Sequence, residues 1–196
     1  MKPKLILITG SPCVGKTTVA DLLFQSYENS AYFDGDWAWC VNPFSVTDSR
    51  LRNGDRVMSF ALDNYLQSRF DYVVFSSVVV MYEDIRRPIL EAITTDCDVV
   101  AFTLTCSEET LRARHKKRGD QGECSFHWLH EPVHPGDHII QTDGKRRRRS
   151  SVRCAPSSAR PSEHTTAQTA HSCSLRCFQF LITHSGFRIP QFPPPG

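Results

Sequence analysis

The chain has no apolar run approaching the ~18–20 residues of a membrane-spanning helix, which excludes a helical span. Its amino end runs directly into a short apolar segment, so no secretory leader is expected. It has eight cysteines but no C-x-x-C pair. They are scattered, and Cys13, Cys97 and Cys106 fall in apolar contexts. That usage suits reduced thiols in a cytoplasmic protein better than a disulfide framework. Acid is nearly missing after Gly144, where nine basic residues meet Glu163 alone. Of the 23 basic and 21 acidic residues, 14 and 20 therefore lie in residues 1–144, a net charge of −6. The overall +2 belongs to the tail.

What is present begins with Gly10-Ser11-Pro12-Cys13-Val14-Gly15-Lys16-Thr17-Thr18, which fits G-x-x-x-x-G-K-[ST] at each fixed position. Leu5-Ile6-Leu7-Ile8-Thr9 before it is short, apolar and β-branched, as a buried strand is. Thr18-Val19-Ala20-Asp21-Leu22-Leu23-Phe24 after it carries apolar residues at helical spacing. A strand, a glycine loop and a helix together turn a row of backbone N–H groups toward one point. Gly10 and Gly15 let the backbone wrap a polyphosphate closely. The amides and the positive end of the helix dipole favour the β-phosphate. Lys16 reaches the β- and γ-phosphates, and the Thr17 hydroxyl can ligate Mg²⁺. ATP and Mg²⁺ are the expected cofactors, held by residues 10–18. A GTPase-type switch needs Asn-Lys-x-Asp and Asp-x-x-Gly; the chain has neither.

Further along, Ala31-Tyr32-Phe33 predicts a second strand that ends on Asp34-Gly35-Asp36. Thr47-Asp48-Ser49 offers N-cap chemistry for a helix to about Phe70, with Val57, Phe60, Ala61, Asn64, Tyr65 and Leu66 near helical spacing. A third strand is expected over 71–77 and a helix over 83–93, with Pro88 near its start. A fourth strand follows at 99–104. Ser107 caps a basic helix that breaks at Gly119, and a fifth strand follows at 138–142. Short apolar strands alternating with helices predict right-handed crossovers and a parallel sheet covered on both faces. After Lys145 the arginine tract and the Ser, Pro and Thr that follow have the composition of a disordered tail. The basic tail alone invites nucleic acid; neither nucleic acid nor membrane is an expected partner.

With these elements in order, residues 4–145 resemble small P-loop kinases of the gluconate kinase, shikimate kinase and chloramphenicol phosphotransferase kind. They are also similar to bacterial AAA family ATPase, nucleotide kinase-like proteins. The resemblance implies an α/β fold, a P-loop NTPase three-layer sandwich with a five-stranded parallel sheet, helices on both faces and a mobile lid. The kinase domain would be 1–145, with the lid at about 112–137 and the basic tail at 146–196. Asp34-Gly35-Asp36 resembles the gluconate kinase element whose acids face acceptor and metal. Ser76-Ser77 with Tyr82-Glu83-Asp84-Ile85-Arg86 resembles the segment after the third strand. Arg114 and Arg118 match the R-x-x-x-R of the lid helix.

The implied catalytic set is Lys16, Asp36, Arg114 and Arg118. Thr17 and Asp34 organise the metal, and Arg114 and Asp143 join residues 10–18 at the nucleotide. Asp36 would accept or orient the proton of the acceptor hydroxyl. The chain departs from broader P-loop patterns in two places. No aspartate ends the third strand, where Ser76-Ser77 stands, and the arginine tract replaces the closing helix, so a sheet face is expected to lose cover.

Plainer readings stand beside these. Asp-Gly-Asp is also an ordinary polar turn, and cations at a helix C-terminus compensate its dipole. Trp37, Trp39, Phe44, Arg52, Arg56, Tyr82 and Arg86 are candidates for the acceptor pocket, or core. Cys124, His127, His130, His134 and His138 have partly zinc-like spacing, but the intervening prolines and glycine argue against a metal site. The expected function is phosphoryl transfer to a hydroxyl or phosphate of a small molecule. The alternative is an ATP-binding module with little or no turnover.

Overall fold

The computed structural model describes residues 2–45, 48–119 and 123–144, with the side chain of Arg52 left aside. The expectations for Thr47, Arg52 and the tail after Gly144 lie outside the described residues. The described residues form five strands: β1 (Lys4–Gly10), β2 (Ser30–Asp34), β3 (Tyr72–Ser76), β4 (Asp98–Thr105) and β5 (His138–Gln141). They form one parallel sheet in the order β2-β3-β1-β4-β5. Four α-helices connect them: α1 (Lys16–Ser26), α2 (Asn53–Gln67), α3 (Glu83–Glu91) and α4 (Glu108–Arg118). The expected α/β P-loop architecture is correct.

The central strand shows why. Alternate residues of β1 point to opposite faces, and both faces are apolar. Leu5 and Leu7, with Val73 and Phe75 of β3, meet Met58, Leu62 and Leu66 of α2 and Ile89 of α3. Ile6 and Ile8, with Val74 and Leu104, meet Ala20 of α1 and Leu111 of α4. Each such fully buried aliphatic side chain contributes roughly 1.5–3 kcal/mol of transfer free energy.

Three local expectations need correction. The helix expected from residue 49 begins as a 3₁₀ turn, Ser49–Arg52, capped by the Asp48 carboxylate on the Arg50 amide. In α2 the buried face is Met58, Leu62 and Leu66, whereas Val57 and Phe60 are 49% and 76% exposed. Both stripes have helical spacing, and only the tertiary packing selects one. Pro88 lies in the sixth of nine positions of α3 rather than its first turn. Val99 of β4 and Ile139 of the edge strand β5 are exposed.

Candidate functional site

The loop between β1 and α1 is shaped by one close approach. A Cβ on Gly10, whose φ is 131°, would stand 2.3 Å from the Leu104 carbonyl oxygen of β4. No side chain fits there. Cys13 also takes a left-handed φ of 63°. Lys16, at the start of α1, turns back along the loop, its Nζ donating at 3.0 Å to the carbonyls of Gly10 and Ser11. Burial lowers the Lys16 pKa, with Asp36 and Asp34 opposing the shift. The Ser11 hydroxyl is buried in the loop without a hydrogen-bond partner.

β2 delivers its terminal carboxylate to the same place. Asp34 Oδ2 accepts from the Thr17 hydroxyl at 3.3 Å and from the Tyr32 hydroxyl at 3.0 Å. Its Oδ1 accepts from the Asp36 amide at 3.1 Å, starting the 3₁₀ turn Gly35–Trp39. Gly35 is obligatory in this turn because a Cβ would approach the Ser77 side chain to 2.8 Å. The Asp-Gly-Asp and Ser-Ser signals are therefore two sides of one contact. Asp36 is pushed up to about 7, chiefly by burial and then by the Asp34 charge, against the pull of Lys16 and Arg118. The Tyr32 hydroxyl, raised by burial and by Asp34, remains a donor at neutral pH.

Arg114 and Arg118 of α4 both reach the loop but do different things. Arg114 donates to the Val14 carbonyl at 2.8 Å, to Thr142 Oγ1 at 2.9 Å and to the Thr142 carbonyl at 2.7 Å. It ties the loop to the turn after β5. Arg118 Nη1 lies 3.5 Å from the Cys13 thiol. Asp143 caps α4, accepting from the Ser107 amide and hydroxyl, the Thr110 hydroxyl and the Gln141 side chain. The Thr110 hydroxyl contributes most to holding its carboxyl far below the usual range.

Several acceptor candidates have structural partners. Trp39 Nε1 donates to Asp55 at 3.3 Å. Tyr82 donates to Glu131 and packs edge-on against Trp128. Arg86 is buried against Asp137 at 2.8 Å, and Asp137 also accepts from Thr103. Trp37 and Arg56 are exposed, and Phe44 is half-buried. Of the histidines with partly zinc-like spacing, His127 pairs with Glu131, His130 with Glu108 and His134 with Glu83, and the His138 ring lies against Phe102. Among the described residues no group of three or more metal-binding side chains gathers.

The sequence reading missed three residues that matter here. Tyr32 reads as a plain strand aromatic, and Asp137 as part of an irregular loop. Asp63 reads as a polar helix position, yet its carboxylate accepts from the Thr95 amide and hydroxyl and the Thr94 hydroxyl. Only long-range pairing distinguishes them.

Comparison with known proteins supplies the remaining findings. The family model described as an AAA domain matches residues 6–125. A search of the curated proteins finds no match. Among solved structures, a gluconokinase from Sinorhizobium meliloti 1021 superposes with a TM-score of 0.54 at 17% identity, over 74% of this chain and 85% of that one. The tunicamycin resistance protein of Deinococcus radiodurans superposes with a TM-score of 0.57 at 17% identity, over 74% and 88%. At that identity the likeness is one of fold.

Proposed function

The chain belongs to the AAA domain family, and we propose that it is an ATP- and Mg²⁺-dependent kinase that phosphorylates a hydroxyl or phosphate of a small molecule. The observation that carries this reading is the arrangement around Asp36. Its half-buried carboxyl, pushed up to about 7 chiefly by burial, feels the charges of Asp34, Lys16 and Arg118, and Asp34 itself accepts from the Thr17 hydroxyl. General bases work best with a pKa near the operating pH.

The residues present fit the nucleotide and its metal. The orphaned Ser11 hydroxyl and the side-chain-free surface at Gly10 suit phosphate oxygens approaching the backbone. The all-oxygen set of Thr17 and Asp34 suits Mg²⁺. When bound, ATP and Mg²⁺ supply the transferable phosphoryl group and neutralise its developing charge. Lys16, whose Nζ lies on the Gly10 and Ser11 carbonyls, would hold phosphate oxygens. Asp36 receives the acceptor proton at its carboxylate, and Arg118 faces the charge that spreads in transfer. Arg114 and Asp143 hold the loop and the lid helix in place. In this reading the lid spans about 112–137, and the cytoplasm supplies both nucleotide and acceptor.

A second reading, nucleotide binding with little or no turnover, is favoured by Ser76, which ends β3 where a metal-directing aspartate is common. The two are separated by measuring ADP release with a panel of sugars, sugar acids, nucleosides and antibiotics. Acceptor-dependent release supports the kinase; intact ATP binding without it supports the binding module. In calorimetry Lys16→Ala is expected to lose Mg·ATP binding. Retained binding in that variant would contradict both readings.

A further inference from the structure

The end of β3 carries no carboxylate, and a different arrangement occupies that position. In the parallel register Asp34 of β2 lies opposite Ser76 of β3. The Tyr32 hydroxyl links the two, 3.0 Å from Asp34 Oδ2 and 2.8 Å from Ser76 Oγ. Tyr32 and Asp34 are two residues apart on one strand and so project to the same face. We infer that Tyr32, backed by Ser76, is a positioning residue that aims the Asp34 carboxylate at Thr17, so that the second strand supplies the metal-organising acid that the third strand lacks. The inference rests on the Mg²⁺-dependent kinase reading above.

The hydrogen-bond count supports it. A carboxylate has about four lone-pair positions. Three on Asp34 are used, by Tyr32, Thr17 and the Asp36 amide, which fixes the rotation of the group and leaves one position open. A phenol has one proton, so with Tyr32 donating to Asp34 the Ser76 hydroxyl donates to Tyr32. Ser76 is almost wholly buried, which shields that bond from exchange with solvent. Were the Thr17 hydroxyl to serve the metal instead, Tyr32 would still hold Asp34 in line. Partners of this outer kind typically change metal affinity by about 10–100-fold.

Tyr32 also packs against Phe24, with ring centroids 6.2 Å apart, so the test removes the hydroxyl and keeps the ring. The full chain is saturated with ATP, and Mn²⁺ binding is followed by electron paramagnetic resonance. ATP affinity in the presence of a chelator is measured separately by calorimetry. Tyr32→Phe is expected to weaken Mn²⁺ binding about tenfold while metal-free ATP affinity stays unchanged. Ser76→Ala is expected to shift Mn²⁺ binding in the same direction. Wild-type Mn²⁺ affinity in Tyr32→Phe overturns the inference, as does an equal fall in metal-free ATP affinity. Where thermal unfolding shows that Tyr32→Phe does not fold, Ser76→Ala decides: unchanged Mn²⁺ affinity in it overturns the inference. A wild-type protein that takes up no Mn²⁺ with ATP overturns the kinase reading itself, a separate result.

Discussion

Asp36 is an acid in surroundings that favour its neutral form, and that fixes its pH behaviour. Its folded carboxyl lies at about 7, above the ordinary value of 3.8. If the deprotonated form accepts the acceptor proton, transfer rises as pH climbs through about 7 and levels off above it. Asp36→Asn is expected to keep Mg·ATP binding, measured by calorimetry, and to lose transfer at every pH. Linkage gives a second readout with an unusual sign for an acid. The folded state binds the extra proton, so stability from this group is complete below about pH 4 and is lost as pH rises toward 7. The asparagine variant, which has no charge to bury, should therefore melt higher than wild type at pH 8 and lose that advantage in acid. At this scale the sequence was legible where chemistry dictates residue type. Lys16, Thr17, Asp34 and Asp36 occupy a loop and a turn whose composition marks them as a group, and Thr17 and Asp34 do meet. Tyr32 and Asp63 were hidden because neighbours distant in sequence give them their meaning.

Elements were legible to the extent that periodicity identifies them. All five strands and the basic helix lie within one or two residues of their expected ends. Facing was harder, because α2 carries two apolar stripes of equal spacing. The structure predicts unequal costs along it. Met58→Ala removes a fully buried side chain and should cost about 2–5 kcal/mol. Phe60→Ser, on the exposed stripe, should stay within about 0.5 kcal/mol. Denaturant unfolding of the two variants measures the difference, and equal losses would mean that the helix is turned the other way. On α4 the arginine pair was legible as a pair, but not in its division of labour. Arg114→Ala cuts the tie between loop and turn and is expected to raise KM for ATP more than it lowers kcat. Arg118→Ala is expected to do the reverse. Steady-state kinetics on both variants checks this, and matching profiles would contradict separate roles.

The whole molecule divides by charge as well as by sequence. Residues 1–144 carry a net charge of −6, and the basic excess follows them. A chain ending after Gly144 is expected to bind Mg·ATP as the full chain does, because each loop contact described here is made within those residues. Calorimetry on the shortened protein tests this, and lost binding would show that the tail takes part. The same contacts fix a lower limit. The Val14 carbonyl is gripped by Arg114 and by Thr142, a partner 128 residues downstream. Synthesis delivers the amino end first. A nascent polypeptide thus exposes its whole glycine loop long before Thr142 emerges to moor it. A chain stopped short of residue 142 therefore lacks the partner that moors its first loop.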